Sequence, residues 1–205
     1  MILHSLVKMS VCKSEAGKMK RIGVLALQGA VREHVQMLES LGCEAVLVKQ
    51  SADLEKLDGL VLPGGESTTM RKLLNRYELL EPIRTLAKQG LPMFGTCAGL
   101  ILLAKELVDY ESHLAVMDVV VARNSYGRQV DSFEVKLDIP EIGEAIPAVF
   151  IRAPHIVSVG EGVEVLAEHD GKIVLAKDDH LLGCSFHPEL TSDARILEYF
   201  VSSMV

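Results

Sequence analysis

The stretch Phe94-Gly95-Thr96-Cys97-Ala98-Gly99-Leu100, answered ninety residues later by His187-Pro188-Glu189, decides how this chain is read. One cysteine stands in a frame of small residues between a strand-like apolar run, Leu91 to Phe94, and a helix-like apolar run, Leu100 to Leu107. That is the sequence form of a nucleophile elbow, a strand-to-helix turn sharp enough to strain the backbone of the residue at its apex. Gly95 and Gly99 permit neighbouring chain to approach where a side chain would clash. The thiol is expected to project into solvent at the carboxyl end of the strand, where the helix start favours a thiolate.

The His-Pro-Glu triplet supplies a base and an acid. Proline biases the preceding residue toward extended backbone, and in an extended chain residues i and i+2 share a side. His187 and Glu189 are therefore expected to face one cleft, one as the base for Cys97 and the other orienting or stabilising the imidazole. The run Leu181 to Phe186 reads as a buried strand that delivers the triplet to the rim.

Around this site the chain alternates. Ile22 to Leu27 reads as a parallel strand covered on both faces, and Val31, Val35, Leu38 and Leu41 mark one helical stripe. Glu44 to Val48 and Leu60 to Leu62 are further strands. Helices are expected over Ser67 to Leu74, capped by Ser67 or a neighbouring threonine, and over Tyr77 to Lys88. Beyond Leu114 the segments Val116–Ala122, Ser132–Leu137, Val149–Ile151, Val163–Glu168 and Ile173–Ala176 read as strands, before a closing helix from Asp193 to about Val201. The fold class is α/β: one domain with a mostly parallel central sheet flanked by helices and a β-rich C-terminal half. Residues 1–18 are expected to be a disordered extension or the product of an upstream start, with the domain over 19–205.

Composition narrows the partners. The 205 residues are 49% hydrophobic with a formal charge of -7, which argues against nucleic acid or an anionic membrane surface. No apolar run of about 20 residues could span a membrane, and the start of the chain makes a poor signal peptide. Four cysteines with no CxxC spacing are most simply reduced thiols of a cytoplasmic protein. The seven histidines show no HxxxH or HxH spacing, so neither a metal nor a cofactor is expected.

A second loop, Pro63-Gly64-Gly65-Glu66-Ser67-Thr68-Thr69, follows a strand and opens a helix. Such a loop suits an anion, yet it lacks the lysine and spacing of a phosphate loop. In a thiol-acylation enzyme the same geometry makes an oxyanion hole from one backbone N–H here and one from Ala98.

Together these segments resemble the class I glutamine amidotransferases, a flavodoxin-like fold with a catalytic triad. More closely, Gly29–His34, Leu62–Met70, Gly95–Gly99, Arg123–Gln129, Ile151–Pro154 and Phe186–Leu190 resemble the family of glutaminase subunits of pyridoxal 5'-phosphate synthases, from about Arg21 to the end. The resemblance implies that Cys97 is the nucleophile and that His187 and Glu189 complete the triad. It implies that Gly65, Glu66, Ser67, Arg123, Ile151 and Arg152 contact L-glutamine. A free amino acid carries both charges, so arginine for its carboxylate and Glu66 for its ammonium are chemically apt.

The implied activity is hydrolysis of the glutamine side-chain amide, with ammonia passed to a (β/α)8-barrel synthase subunit. Because a free glutaminase wastes glutamine, the lone subunit is expected to be weakly active. The partner is expected to complete the oxyanion hole through Gln28-Gly29-Ala30 and Gly64-Gly65. Two rivals remain open: a different thiol enzyme on a related fold, such as a cysteine peptidase or glyoxalase, and a scaffold that has lost catalysis. His155 is a rival base, but no acid follows it at the spacing of Glu189.

Overall fold

The computed structural model describes Cys12 and residues 17–123 and 132–205. Its centre is a ten-stranded sheet in the order β2-β1-β3-β4-β12-β11-β9-β6-β5. Here β1 is Arg21–Leu25, β2 Glu44–Val48, β3 Gly59–Leu62, β4 Met93–Thr96, β5 Ala104–Leu107, β6 Met117–Ala122, β9 His155–Val159, β11 Lys172–Asp178 and β12 Leu181–Cys184. The tenth strand, β10 (Glu164–His169), pairs with β11. The first five strands of the order pair in parallel, and β11 turns the sheet antiparallel. A separate hairpin joins β7 (Ser132–Ile139) to β8 (Gly143–Ile151).

Burial on both faces explains the near-continuous apolar strands. One face packs on α1 (Val31–Ser40) and the closing helix α5 (Arg195–Ser203), through Leu38, Ile196 and Phe200. The other packs on α2 (Ser67–Arg76), α3 (Leu80–Lys88) and α4 (Ala98–Leu103), through Met70, Leu74, Ile83 and Leu100.

Several local expectations are corrected. The apolar run after Cys97 splits: α4 stops at Leu103 and Ala104–Leu107 is strand β5. An unbroken apolar run has no period to mark the switch. Tyr77–Leu79 is a turn with Glu78 at φ 54°, and α3 starts at Leu80, which places Pro82 in the first turn where its missing N–H costs least. The cap of α2 is Glu66 rather than Ser67 or a threonine.

The cysteines also depart from expectation. Cys12 and Cys43 form a disulfide with α-carbons 5.0 Å apart, while Cys97 and Cys184 are free. Cys12 is fully buried, and its carbonyl accepts from the Lys20 amide at 2.8 Å. Spacing in sequence gave no signal for a pair that only tertiary folding brings together.

Candidate active site

The sheet order assembles the site. Strand β12 inserts beside β4 in parallel, so that Cys184 is the register partner of Thr96 and the Cys97 amide donates to the Cys184 carbonyl at 2.8 Å. The residues that leave the two strands, Cys97 and His187, consequently line one cleft of about 460 Å³. Cys97 has φ 49° and ψ −99°, a strained conformation for a residue with a Cβ, as an elbow requires. The turn closes tightly because Gly99 sits against the Leu62 carbonyl with no space for a side chain. Contrary to expectation the thiol does not project into solvent; Cys97 is 6% exposed and lines the cleft.

The His-Pro-Glu triplet is not extended. Pro188–Leu190 is a short 3-10 turn, since proline is pre-shaped for a first helical position. Glu189 therefore lies behind His187 rather than beside it in the cleft. His187 Nδ1 and Glu189 Oε1 are 2.8 Å apart, and the carboxylate is fully buried. Burial alone would lower the His187 pKa. Hydrogen bonding to Cys97 and Glu189 prevails and raises it to about 10. Burial likewise works against the Glu189 charge, but the His187 hydrogen bond holds the carboxyl below its ordinary range.

The glycine loop is knit to the loop after β1. The Gly64 carbonyl accepts from the Ala30 amide at 2.9 Å, and the Gln28 side chain accepts from the Glu66 amide at 2.8 Å. Gly65 and Glu66 line the cleft, and Ala98 opens α4 immediately after Cys97. The Glu66 carboxylate accepts from the Thr69 hydroxyl at 2.6 Å and from the Thr68 and Thr69 amides at 3.0 and 2.7 Å. These bonds, the Thr69 hydroxyl first, lower its pKa to about 2. Ser67 Oγ is buried at the cleft wall with no hydrogen-bond partner among the described residues.

The cations stand opposite. Arg123 stacks on the Tyr110 ring, 4.4 Å from its centroid, and its guanidinium lies 3.6 Å from Glu66. Ile151 and Arg152 complete that wall, Arg152 in a left-handed conformation at φ 42°. Residues 124–129 of the stretch compared above lie outside the described residues. His155 lies outside the cleft lining, and burial lowers its pKa. Sequence reasoning missed Ile101 and Leu190 as lining residues and Tyr110 as the platform under Arg123; no local pattern marks them.

An elbow cysteine, an imidazole backed by a buried carboxylate, and two arginines beside a glycine loop meet in one cleft, an arrangement suited to acyl transfer. Residues 24–205 match the SNO glutamine amidotransferase family. The chain belongs to that family. It is 61% identical over 183 residues to the pyridoxal 5'-phosphate synthase subunit PdxT of Geobacillus kaustophilus, covering 89% of this chain and 93% of that one. The corresponding protein of Geobacillus thermodenitrificans is 60% identical over 183 residues, covering 89% and 94%. A crystal structure of a glutamine amidotransferase aligns with a TM-score of 0.84 at 48% identity, covering 88% of this chain and 96% of that one. The family thus accounts for the fold, the curled mostly parallel sheet and the β-rich second half alike. Among the described residues no helix is long and apolar enough to cross a membrane.

Proposed function

We propose that this chain is the glutaminase subunit of a pyridoxal 5'-phosphate synthase, which hydrolyses L-glutamine to L-glutamate and ammonia for a separate synthase subunit, a (β/α)8 barrel. The observation that carries the chemistry is the strained Cys97 beside a His187 that is backed at 2.8 Å by the buried Glu189.

Cys97 is the nucleophile. As thiolate it attacks the side-chain amide carbon, and the carbonyl electrons move onto oxygen. The Gly65 and Ala98 amides hold this oxyanion. When the C–N bond breaks, protonated His187 gives its proton to the departing nitrogen, which leaves as ammonia and produces a thioester. His187, now neutral, takes a proton from water as the water attacks the thioester. Collapse expels the Cys97 thiolate and frees the γ-carboxylic acid, which loses its proton to water to give glutamate, and the thiolate and protonated His187 are restored. Glu189 keeps the imidazole oriented and stabilises its charged form.

The rest of the cleft fits the substrate. Arg123 and Arg152 supply cations for the α-carboxylate, while Glu66 faces the α-ammonium. Ser67 offers a hydroxyl that has no partner among the described residues, and Ile151 forms the apolar wall. The hydrogen bonds that join Gly64 to Ala30 and Glu66 to Gln28 tie the two loops expected to respond to the synthase subunit.

The test is ammonia release from L-glutamine by the purified chain, alone and with a synthase subunit, with Cys97→Ala as control. The reading requires release that rises with the partner and vanishes in the variant. Absence of release while the partner binds would replace it with a scaffold role.

A further inference from the structure

Helix α1 brings one more histidine to the triad. His34 is 1% exposed, and its Nε2 lies 3.2 Å from Thr96 Oγ1 and 3.6 Å from Glu189 Oε2. Glu189 Oε1 is occupied by His187 Nδ1, but Oε2 is buried with no hydrogen-bond partner among the described residues. A buried carboxylate oxygen left in that state calls for a physical account. The imidazole of His34 is the polar group that faces it.

His34 reaches this place for structural reasons. Its ring packs edge-on to Phe94, 6.5 Å between centroids, and its helix is fixed at the start by the Ala30 amide on the Gly64 carbonyl. Burial lowers the His34 pKa, against the pull of Glu189 and with the repulsion of His187; Glu33 is the other charge it feels. The ring is therefore a neutral dipole at neutral pH, with one N–H to place.

We propose that His34 is a positioning residue of the triad: its Nε2–H, shared between Thr96 Oγ1 and Glu189 Oε2, fixes the carboxylate so that Oε1 stays aimed at His187 Nδ1. This rests on reading Cys97, His187 and Glu189 as catalytic. A neutral donor suits the task better than a cation. A second positive charge against Glu189 would compete with the imidazolium that the carboxylate serves, whereas a dipole holds the geometry and leaves the charge to His187.

The test compares His34→Phe, which keeps a ring and removes the donor, with His34→Gln, whose amide N–H falls near the place of Nε2. Two readouts are taken on the full chain: the pH profile of Cys97 alkylation by iodoacetamide without substrate, and kcat and KM for glutamine with the synthase subunit present. We expect His34→Phe to lose roughly tenfold in kcat with KM changed by less than about twofold, and the upper inflection of alkylation to move below that of the parent. His34→Gln should recover most of both. A parent-like profile and kcat in a folded His34→Phe, or no recovery in His34→Gln, overturns the proposal.

Should His34→Phe not fold, 15N NMR of the unaltered chain decides. The His34 ring must carry its proton on Nε2 and not titrate between about pH 6 and 9; a bare Nε2, or titration in that window, overturns it. Alkylation and NMR need no glutamine, so a chain that released no ammonia would refute the glutaminase reading without confounding this one.

Discussion

Gly64 lies against the imidazole of His187 so closely that any side chain at Gly64 would strike the ring: a Cβ there would sit 2.7 Å from Nδ1 and nearer still to Cε1. The glycine loop and the His187 ring are thus one packed unit, and the glycine is required by its neighbour rather than by its own backbone.

Gly64→Ala should displace His187 from Cys97 while leaving the sheet intact. A displacement of this order costs about 10²-fold in turnover. Ammonia release lowered by that factor, with near-parental thermal stability, is the expected result; full activity would mean that the ring has space to retreat.

The raised pKa of His187 sets a pH dependence of stability. Its pKa rises from 6.5 unfolded to about 10 folded, so the folded state binds the proton more tightly. The contribution is fully present below pH 6.5 and is lost as pH rises through about 10. Urea unfolding of the parent between pH 7 and 10.5 should show a fall that His187→Gln lacks. A parallel decline in both chains would assign the loss to other groups.

Strain at Cys97 can be separated from its chemistry. Cys97→Ala and Cys97→Gly should both be inactive, yet only glycine accepts φ 49° without cost. Cys97→Gly should be more stable than Cys97→Ala by about 1 kcal/mol in chemical denaturation. Alanine equal to or above glycine would show that the turn relaxes.

Glu66 caps α2 and, in the function proposed, faces the α-ammonium of glutamine, and its substitutions should part the two. Glu66→Ala removes the cap of α2 and should cost about 1 kcal/mol of stability as well as raising KM for glutamine. Glu66→Gln keeps an oxygen for the Thr68 and Thr69 donors and should retain most of the stability while still raising KM. Unchanged KM in Glu66→Gln would remove the carboxylate from substrate binding.

The sequence by itself determined whatever depends on neighbours a few residues away. The elbow at Cys97 was legible because small residues, a strand and a helix start are contiguous there, and the early strand-helix alternation through Val48 was legible from periodicity. Short-range signals failed where they are silent or compete: in the unbroken apolar run that becomes α4 and β5, and at Pro188, which read as extended but opens a 3-10 turn. Only the tertiary structure decided that Glu189 stands behind His187, that His34 faces its second oxygen, that Tyr110 underlies Arg123, and that Cys12 meets Cys43. The His34 and Cys12 contacts join segments far apart in the chain, and the meeting of His187 with the Cys97 elbow depends on the insertion of β12 beside β4. Strand order is fixed by packing the whole core at once, and no local stretch of sequence encodes it.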